Sequence, residues 1–320
     1  MARDRVRLYV VSDIHGSERT WRKMLNAARM GLYKADAVLF AGDLTGKAMV
    51  PVVRVNGGYR AEFAGQTREA HTDRELESLE QDIANLGYYA LQVTAEEAEG
   101  LRADPAALET RFTQEIESRV EAWMEMAAER MAGSSVPIFV VPGNDDPYTI
   151  DPILARSQYV RNVDGAVVDL PGGLQVIGSG KSNPTPWRTP REVPDDEFGA
   201  EVTRLADEAR DPRRTVFLIH CPPYGSGLDT APLLDRTLRP TATAGDLLRG
   251  PVGSTGVRKA VEEFRPLLSL HGHIHESGGE VKIRQTLCLN PGSEAAYGIL
   301  RGYLVDVSSN GIERAFRVEG

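Results

Sequence analysis

Asp13 and His15, Asp43, Asn144, His220, and the pair His273 and His275 all carry oxygen or nitrogen atoms suited to divalent cations. Each cluster follows a short apolar run, at residues 8–11, 37–41, 136–141, 216–219 and 267–270. On an extended strand end, residues two apart face the same way, so Asp13 and His15 can offer one carboxylate oxygen and one imidazole nitrogen to a single ion. His273 and His275 repeat that spacing. Asp43 has two oxygens with which to bridge a pair of ions, and Asn144 adds a neutral carbonyl oxygen. Mixed nitrogen and oxygen ligation without thiolate suits Mn, Fe, Zn, Ni or a related divalent ion better than Ca or a structural Cys-type zinc site. Two such ions ~3.5–4 Å apart lower the pKa of a bridging water and hold the attacking and leaving oxygens of an in-line displacement, which is phosphoryl chemistry.

Short apolar runs bounded by Gly, Pro and polar residues read as buried strands. The carboxyl ends of such strands are where open α/β sheets place ligand sites. No single piece suffices: an isolated Asp-x-His is commonly a solvated strand end, and Gly-Asn-Asp is commonly a turn. The five pieces together, each at a strand end, point to a metal site.

The remaining elements are set by the same rules. Residues 5–11 form the first strand, 17–30 a helix and 37–41 the second strand. Residues 50–55 and 59–63 flank Asn56-Gly57-Gly58, a hairpin signal. The texture then changes: residues 72–132 are rich in Glu, Ala, Leu, Arg and Met, with Asp104-Pro105 opening a helix that runs toward Met131. Residues 66–133 are read as a helical insertion in a single domain spanning 1–320, placed on the substrate side or at a homo-oligomer interface. Helices are predicted at 195–209 and 256–264, and strands at 281–283, 286–289, 302–307 and 312–317. Alternating strands and helices early, with strands running together late, predict two packed sheets covered by helices.

Bulk properties bound the function. The chain has 320 residues, 41% of them hydrophobic, and a formal charge of -9, which disfavours a general electrostatic grip on nucleic acid. No apolar stretch is long enough to span a bilayer, and the first residues do not form an apolar signal segment, so the expected location is the cytoplasm. The two cysteines, Cys221 and Cys288, make no disulfide framework, and Cys221 beside His220 is read as buried packing.

The chain closely resembles the calcineurin-like metallophosphoesterase superfamily, in particular its bacterial and archaeal branch. The matching pieces are Ser12-Asp13-Ile14-His15-Gly16, Ala41-Gly42-Asp43-Leu44, Pro142-Gly143-Asn144-Asp145-Asp146, His220-Cys221-Pro222-Pro223 and His271-Gly272-His273-Ile274-His275-Glu276, with residues 253–260 before and Asn290-Pro291-Gly292-Ser293 after the last set. The resemblance implies an α/β (α+β) fold: a central two-sheet β-sandwich flanked by helices in four layers. It also implies a dinuclear metal-dependent phosphoester hydrolase with a metal-bridging hydroxide as nucleophile. It allots Asp13, His15 and His275 to one ion and Asn144, His220 and His273 to the other, with Asp43 bridging. His271 has no ligand role in the pattern.

One position departs from it. Many members carry a histidine directly after the Asn of the third motif, where it contacts the phosphate and protonates the leaving group; here that place is Asp145. Members lacking this histidine include phosphodiesterases, so the expected substrate is a small phosphodiester. A phosphomonoesterase, a nuclease and a non-catalytic metal-binding regulatory protein are the alternatives. Asp145 and Asp146 are read as candidate outer partners of a ligand histidine, and Asp146-Pro147 as a possible helix start. Lys181, Arg188, Arg191 and Trp187 are weaker substrate-contact candidates on a Pro-rich loop, and His71 is read as a surface residue.

Overall fold

The computed structural model describes residues 5–235, 237–243 and 245–320; the reading of residues 1–4 as lacking a leader lies outside them. Two six-stranded sheets form the centre. The first runs, from edge to edge, Gly311–Glu319, Arg301–Ser308, Arg5–Val11, Ala37–Ala41, Ile138–Val141 and Val160–Asn162. Its last four strands are parallel neighbours, and the C-terminal hairpin adds antiparallel to Arg5–Val11. The second runs Gly279–Ile283, Thr286–Asn290, Leu268–Leu270, Thr215–Ile219, Leu174–Ser179 and Val167–Leu170, with its four middle strands parallel.

The two-residue period of a strand decides which layer each side chain joins. Val6, Leu8 and Val10 enter the core between the sheets, with Ala37, Leu39, Ala41, Val176, Leu218 and Leu270. Tyr9, Val11, Val38 and Phe40 point the other way, onto helices. On the far side Ile177, Phe217, Ile219 and Cys288 meet Phe198, Val202, Val257 and Val261 of the helices Asp195–Glu208 and Thr255–Phe264. Each fully buried Val, Leu or Phe contributes on the order of 1.5–3 kcal/mol. The result is the expected four layers of helix, sheet, sheet and helix.

Residues 66–133 are not wholly helical. They hold the helices Asp73–Asn85, Ala95–Ala103 and Pro105–Met131, but also the strands Gln66–Ala70 and Tyr89–Val93. With the hairpin Met49–Val55 and Gly58–Phe63, these strands make a separate four-stranded sheet, packed on Leu76, Leu79 and Ile83 of the first helix. Asp104 caps the long helix as its sequence requires, accepting hydrogen bonds from the backbone of Ala106 and Ala107 at 3.1 Å. The apolar stripe of that helix (Ile116, Val120, Trp123, Ala127) covers the first sheet, and Trp123 stacks on Trp21 at 4.9 Å.

The inserted sheet also braces the loops that follow the first two strands. Ser17 Oγ donates to Asn85 O at 2.7 Å, and the Gly46 N–H donates to Tyr89 Oη at 2.8 Å. Gly87 adopts a left-handed φ of +90° and lies so close that a Cβ there would sit 2.1 Å from His15 O.

Asp306 is a buried carboxylate under Arg5, Arg7 and Arg314, with Arg7 Nε at 2.6 Å. Burial pushes its pKa up, but hydrogen bonds from Arg7 and Arg314 outweigh this and hold it at about 2. A depressed carboxylate stabilises the fold fully above its unfolded value near 4, and that contribution is lost as pH falls toward 2. Because two of the arginines are half-exposed, the contribution is discounted to about 1–2 kcal/mol. Urea unfolding of Asp306→Asn should therefore show a deficit of that size at pH 6 that narrows by pH 3. An unchanged deficit at the two pH values would refute the assignment. Among the described residues, no helix is long and apolar enough to cross a membrane.

Candidate metal centre

The two sheets present the carboxyl ends of their parallel strands at one place. Asp13, His15, Asp43 and Asn144 follow three adjacent strands of the first sheet, while His220, His273 and His275 follow two adjacent strands of the second. All seven sequence candidates meet there. Asp13, His15, Asp43 and His275 each offer a ligand atom within 4.8 Å of the others. His15 Nε2 lies 2.7 Å from His275 Nε2 and 3.6 Å from Asp43 Oδ2. On the other side of Asp43, its Oδ1 lies 3.5 Å from His220 Nε2. Asn144 Oδ1 lies 2.9 Å from His220 Nε2 and 2.7 Å from His273 Nδ1. Asp43 thus faces one set with each carboxylate oxygen.

The local backbone is shaped to allow this convergence. Asp13, His15, Asp43 and His273 all have left-handed φ angles, between 42° and 69°. Such conformations are costly for non-glycine residues and persist where surrounding structure enforces them, often at functional sites. Neighbouring glycines leave room: a Cβ on Gly143 would lie 2.0 Å from Asp43 Oδ1, and one on Gly272 2.3 Å from Asp13 Oδ2.

The donor set fits divalent cations. Asp13 is held at about 2: burial opposes ionisation, but the His275 hydrogen bond and charge outweigh it. Asp43 lies well below the usual carboxylate range, where His220 overcomes the same burial. Burial keeps His15 and His273 neutral, at about 3 and about 4. His220 is driven the other way, to about 9, because Asp43 and Asp13 outweigh its burial. Anionic carboxylates beside the neutral His15 and His273 suit metal binding, and a cation would take the place of the proton that the carboxylates hold on His220 and favour on His275. Asp13 Oδ2 and His15 Nδ1 are buried with no hydrogen-bond partner among the described residues. His220 Nδ1 donates to Ala41 O at 2.7 Å, which turns Nε2 toward Asn144 and Asp43.

The neighbours divide into distinct roles. Asp146-Pro147 does precede a short helical stretch, Tyr148–Ile150 and Asp151–Ala155, but the Asp146 side chain neither caps it nor partners a histidine. It accepts hydrogen bonds from the backbone of Leu44, Thr45 and Gly143 and from Thr45 Oγ1, at 2.7–3.0 Å, clamping the Asp43 loop to the Asn144 loop. Asp145 pairs with Lys47 at 2.6 Å and offers its N–H to Asp43 Oδ1 at 3.1 Å. Burial and the charge of Asp43 raise its carboxyl to about 6. Thr189 Oγ1 accepts from Asn144 Nδ2 at 2.8 Å and so orients the amide oxygen inward.

His271 is buried and structural. Its Nδ1 donates to Ile219 O at 2.8 Å, and Ser269 Oγ pairs with Nε2. Cys221 is buried, its thiol pushed up to about 12 by burial. Lys181 is held by Glu201, and Arg191 is fully buried against Asp151 and Asp164. Trp187 and Arg188 remain exposed on the loop, and His71 lies at the surface beside Glu69. Sequence reasoning misses Lys47, Thr189 and the clamp role of Asp146. For Lys47 the usable signal is a cation four residues after Asp43; for Thr189 there is no local signal.

No protein-family profile matches the chain. The uncharacterized protein MJ1162 of Methanocaldococcus jannaschii is 29% identical over 163 residues, which cover 50% of this chain and 66% of the relative. The matched region thus spans just under two thirds of that curated relative. One solved crystal structure aligns with 98% of this chain and 99% of its own, at a TM-score of 0.56 and 15% identity. TT1561 of Thermus thermophilus aligns over 98% of both chains, at a TM-score of 0.51 and 14% identity. Likeness at these identities concerns the fold. The chain shares the overall fold of these structures, two sheets flanked by helices, and carries all five motifs at the strand ends.

Proposed function

We propose that the protein is a metal-dependent phosphoester hydrolase acting on small phosphodiesters. The observation that carries this reading is the arrangement of two ligand sets on either side of Asp43, one with Asp13, His15 and His275 and the other with Asn144, His220 and His273. These residues would hold two divalent ions, of the Mn, Fe, Zn or Ni type, which would supply activation of a water and neutralisation of charge on the phosphoryl group. The chain's own contribution is orientation. Ala41 O fixes the His220 ring, Thr189 fixes the Asn144 amide, and Asp146 holds the two loops in register.

The diester preference rests on Asp145. A carboxylate paired to Lys47 presents no net positive charge to a dianionic monoester. It also puts no imidazole in place to protonate an alkoxide leaving group. With Mn, turnover of bis(p-nitrophenyl) phosphate is expected to exceed that of p-nitrophenyl phosphate by about tenfold or more, a barrier difference of at least ~1.4 kcal/mol. Faster monoester turnover would sink the diester reading.

A further inference from the structure

Asn144 is a neutral ligand, and only its carbonyl oxygen can serve a cation; the same amide turned over would present an N–H₂ group instead. Which end faces the centre is decided by hydrogen bonds, and these come from the Pro-rich loop. Asn144 Oδ1 lies between His220 and His273, while Nδ2 donates to Thr189 Oγ1 at 2.8 Å and to Asp145 Oδ1 at 3.1 Å. Thr189 Oγ1 in turn donates to Glu192 Oε1 at 2.8 Å. Glu192 also accepts from the Thr189 N–H and the Thr185 N–H, both at 2.9 Å, and from the Thr185 hydroxyl. Burial pushes the Glu192 carboxyl up, but the hydrogen bonds from Thr185 and Thr189 outweigh this and hold it below its ordinary value.

A hydroxyl has one proton, and an ionised carboxylate only accepts. With its proton committed to Glu192, Thr189 can only accept from the amide, so Nδ2 points at the loop and Oδ1 at the centre. We infer that Glu192 is a positioning residue, acting through Thr189 to present the Asn144 oxygen to the ion on the His220 and His273 side. This rests on the two-ion reading above. Without the carboxylate, the Thr189 hydroxyl can donate as well as accept, and it no longer selects one face of the amide. The loop has other anchors that hold it in place. The Arg191 N–H donates to Asn144 O at 3.2 Å, Arg191 Nε donates to Asp146 O at 2.8 Å, and Ser182 pairs through its backbone with Arg191 and Val193. The effect of Glu192 is therefore expected on one ion and not on the fold.

The test measures Mn binding to the full chain by equilibrium dialysis, without substrate, together with the electron spin resonance of the bound Mn, in which a coupled pair and a single ion differ. Glu192→Ala and Thr189→Val should each weaken one of two bound ions by about 10–100-fold, the range for losing an outer partner, and leave the other unchanged. At limiting Mn the resonance should change from that of a pair to that of a single ion. Thr189→Ser keeps the hydroxyl and should restore the pair. Thr185→Val removes another donor from the same carboxylate but leaves Thr189 and Asn144 untouched, so it should bind both ions as the unmodified protein does. The assignment is overturned if Glu192→Ala and Thr189→Val hold both ions within twofold of the unmodified protein. It is also overturned if Thr185→Val weakens an ion as much as they do, which would make Glu192 a general brace of the loop. In both cases the two-ion reading stands. If the unmodified protein does not take up two ions, both fall.

Discussion

Replacing Asp43 by Asn is expected to reduce phosphoester turnover by on the order of 10³-fold or more, well beyond the 10–100-fold typical of losing an outer partner. The substitution is nearly isosteric, so far-UV circular dichroism should not change. Asp43 is buried, and its two oxygens face different ligand sets: Oδ2 toward His15, and Oδ1 toward His220 and the Asp145 N–H. An amide gives one neutral oxygen to one side and an N–H₂ group to the other, where it opposes a cation. Metal content after dialysis should fall by about one ion per chain. Turnover within tenfold of the unmodified protein, with metal retained, would mean that Asp43 does not join the two sets.

The largest effect on stability is expected at Asp146. Its carboxylate is fully buried and accepts four hydrogen bonds from the two loops that carry Asp43 and Asn144. Asp146→Ala leaves three backbone N–H groups and the Thr45 hydroxyl without their acceptor. Each buried unsatisfied group costs ~1–3 kcal/mol, but solvent entry and relaxation recover part, so the net loss should be about 3–5 kcal/mol. At roughly 2–4 °C per kcal/mol for a chain of this class, the melting temperature should drop by about 6–20 °C. Asp146→Asn should fall between, because its amide oxygen can still accept while its N–H₂ faces other donors. A loss below about 1 kcal/mol for the alanine variant would contradict the clamp.

The parts of the fold and site that can be read from the sequence are those specified locally. A run such as Ala37–Ala41 followed by Gly42-Asp43 carries both the strand and the ligand that its end presents. The hairpin around Asn56-Gly57 and the cap at Asp104 are legible because turn and cap chemistry belong to a few adjacent residues. Gln66–Ala70 is not, because Gln-Thr-Arg-Glu-Ala has no apolar alternation and becomes a strand only by pairing at the edge of Gly58–Phe63. Tyr89–Val93 is hidden between helices; it pairs with Met49–Val55, some forty residues earlier.

The supporting side chains are hidden for the same reason. Asp146 beside Pro147 resembles a helix start locally, and its role as a clamp depends on Leu44 and Thr45, about a hundred residues away. Thr189 meets Asn144 only because Arg191 anchors the intervening loop through Asp146 O and Pro147 O. The ligands announce themselves by type and spacing, whereas the groups that aim them are ordinary residues placed by tertiary contact.

The most direct test of the central claim is metal titration of the chelator-stripped protein, with bound metal and bis(p-nitrophenyl) phosphate turnover measured on the same samples. The seven-ligand arrangement around Asp43 predicts no turnover without metal, and full recovery with Mn that saturates at two ions per chain. Turnover in the stripped protein, or a folded protein that takes up two ions and hydrolyses no phosphoester, would contradict it.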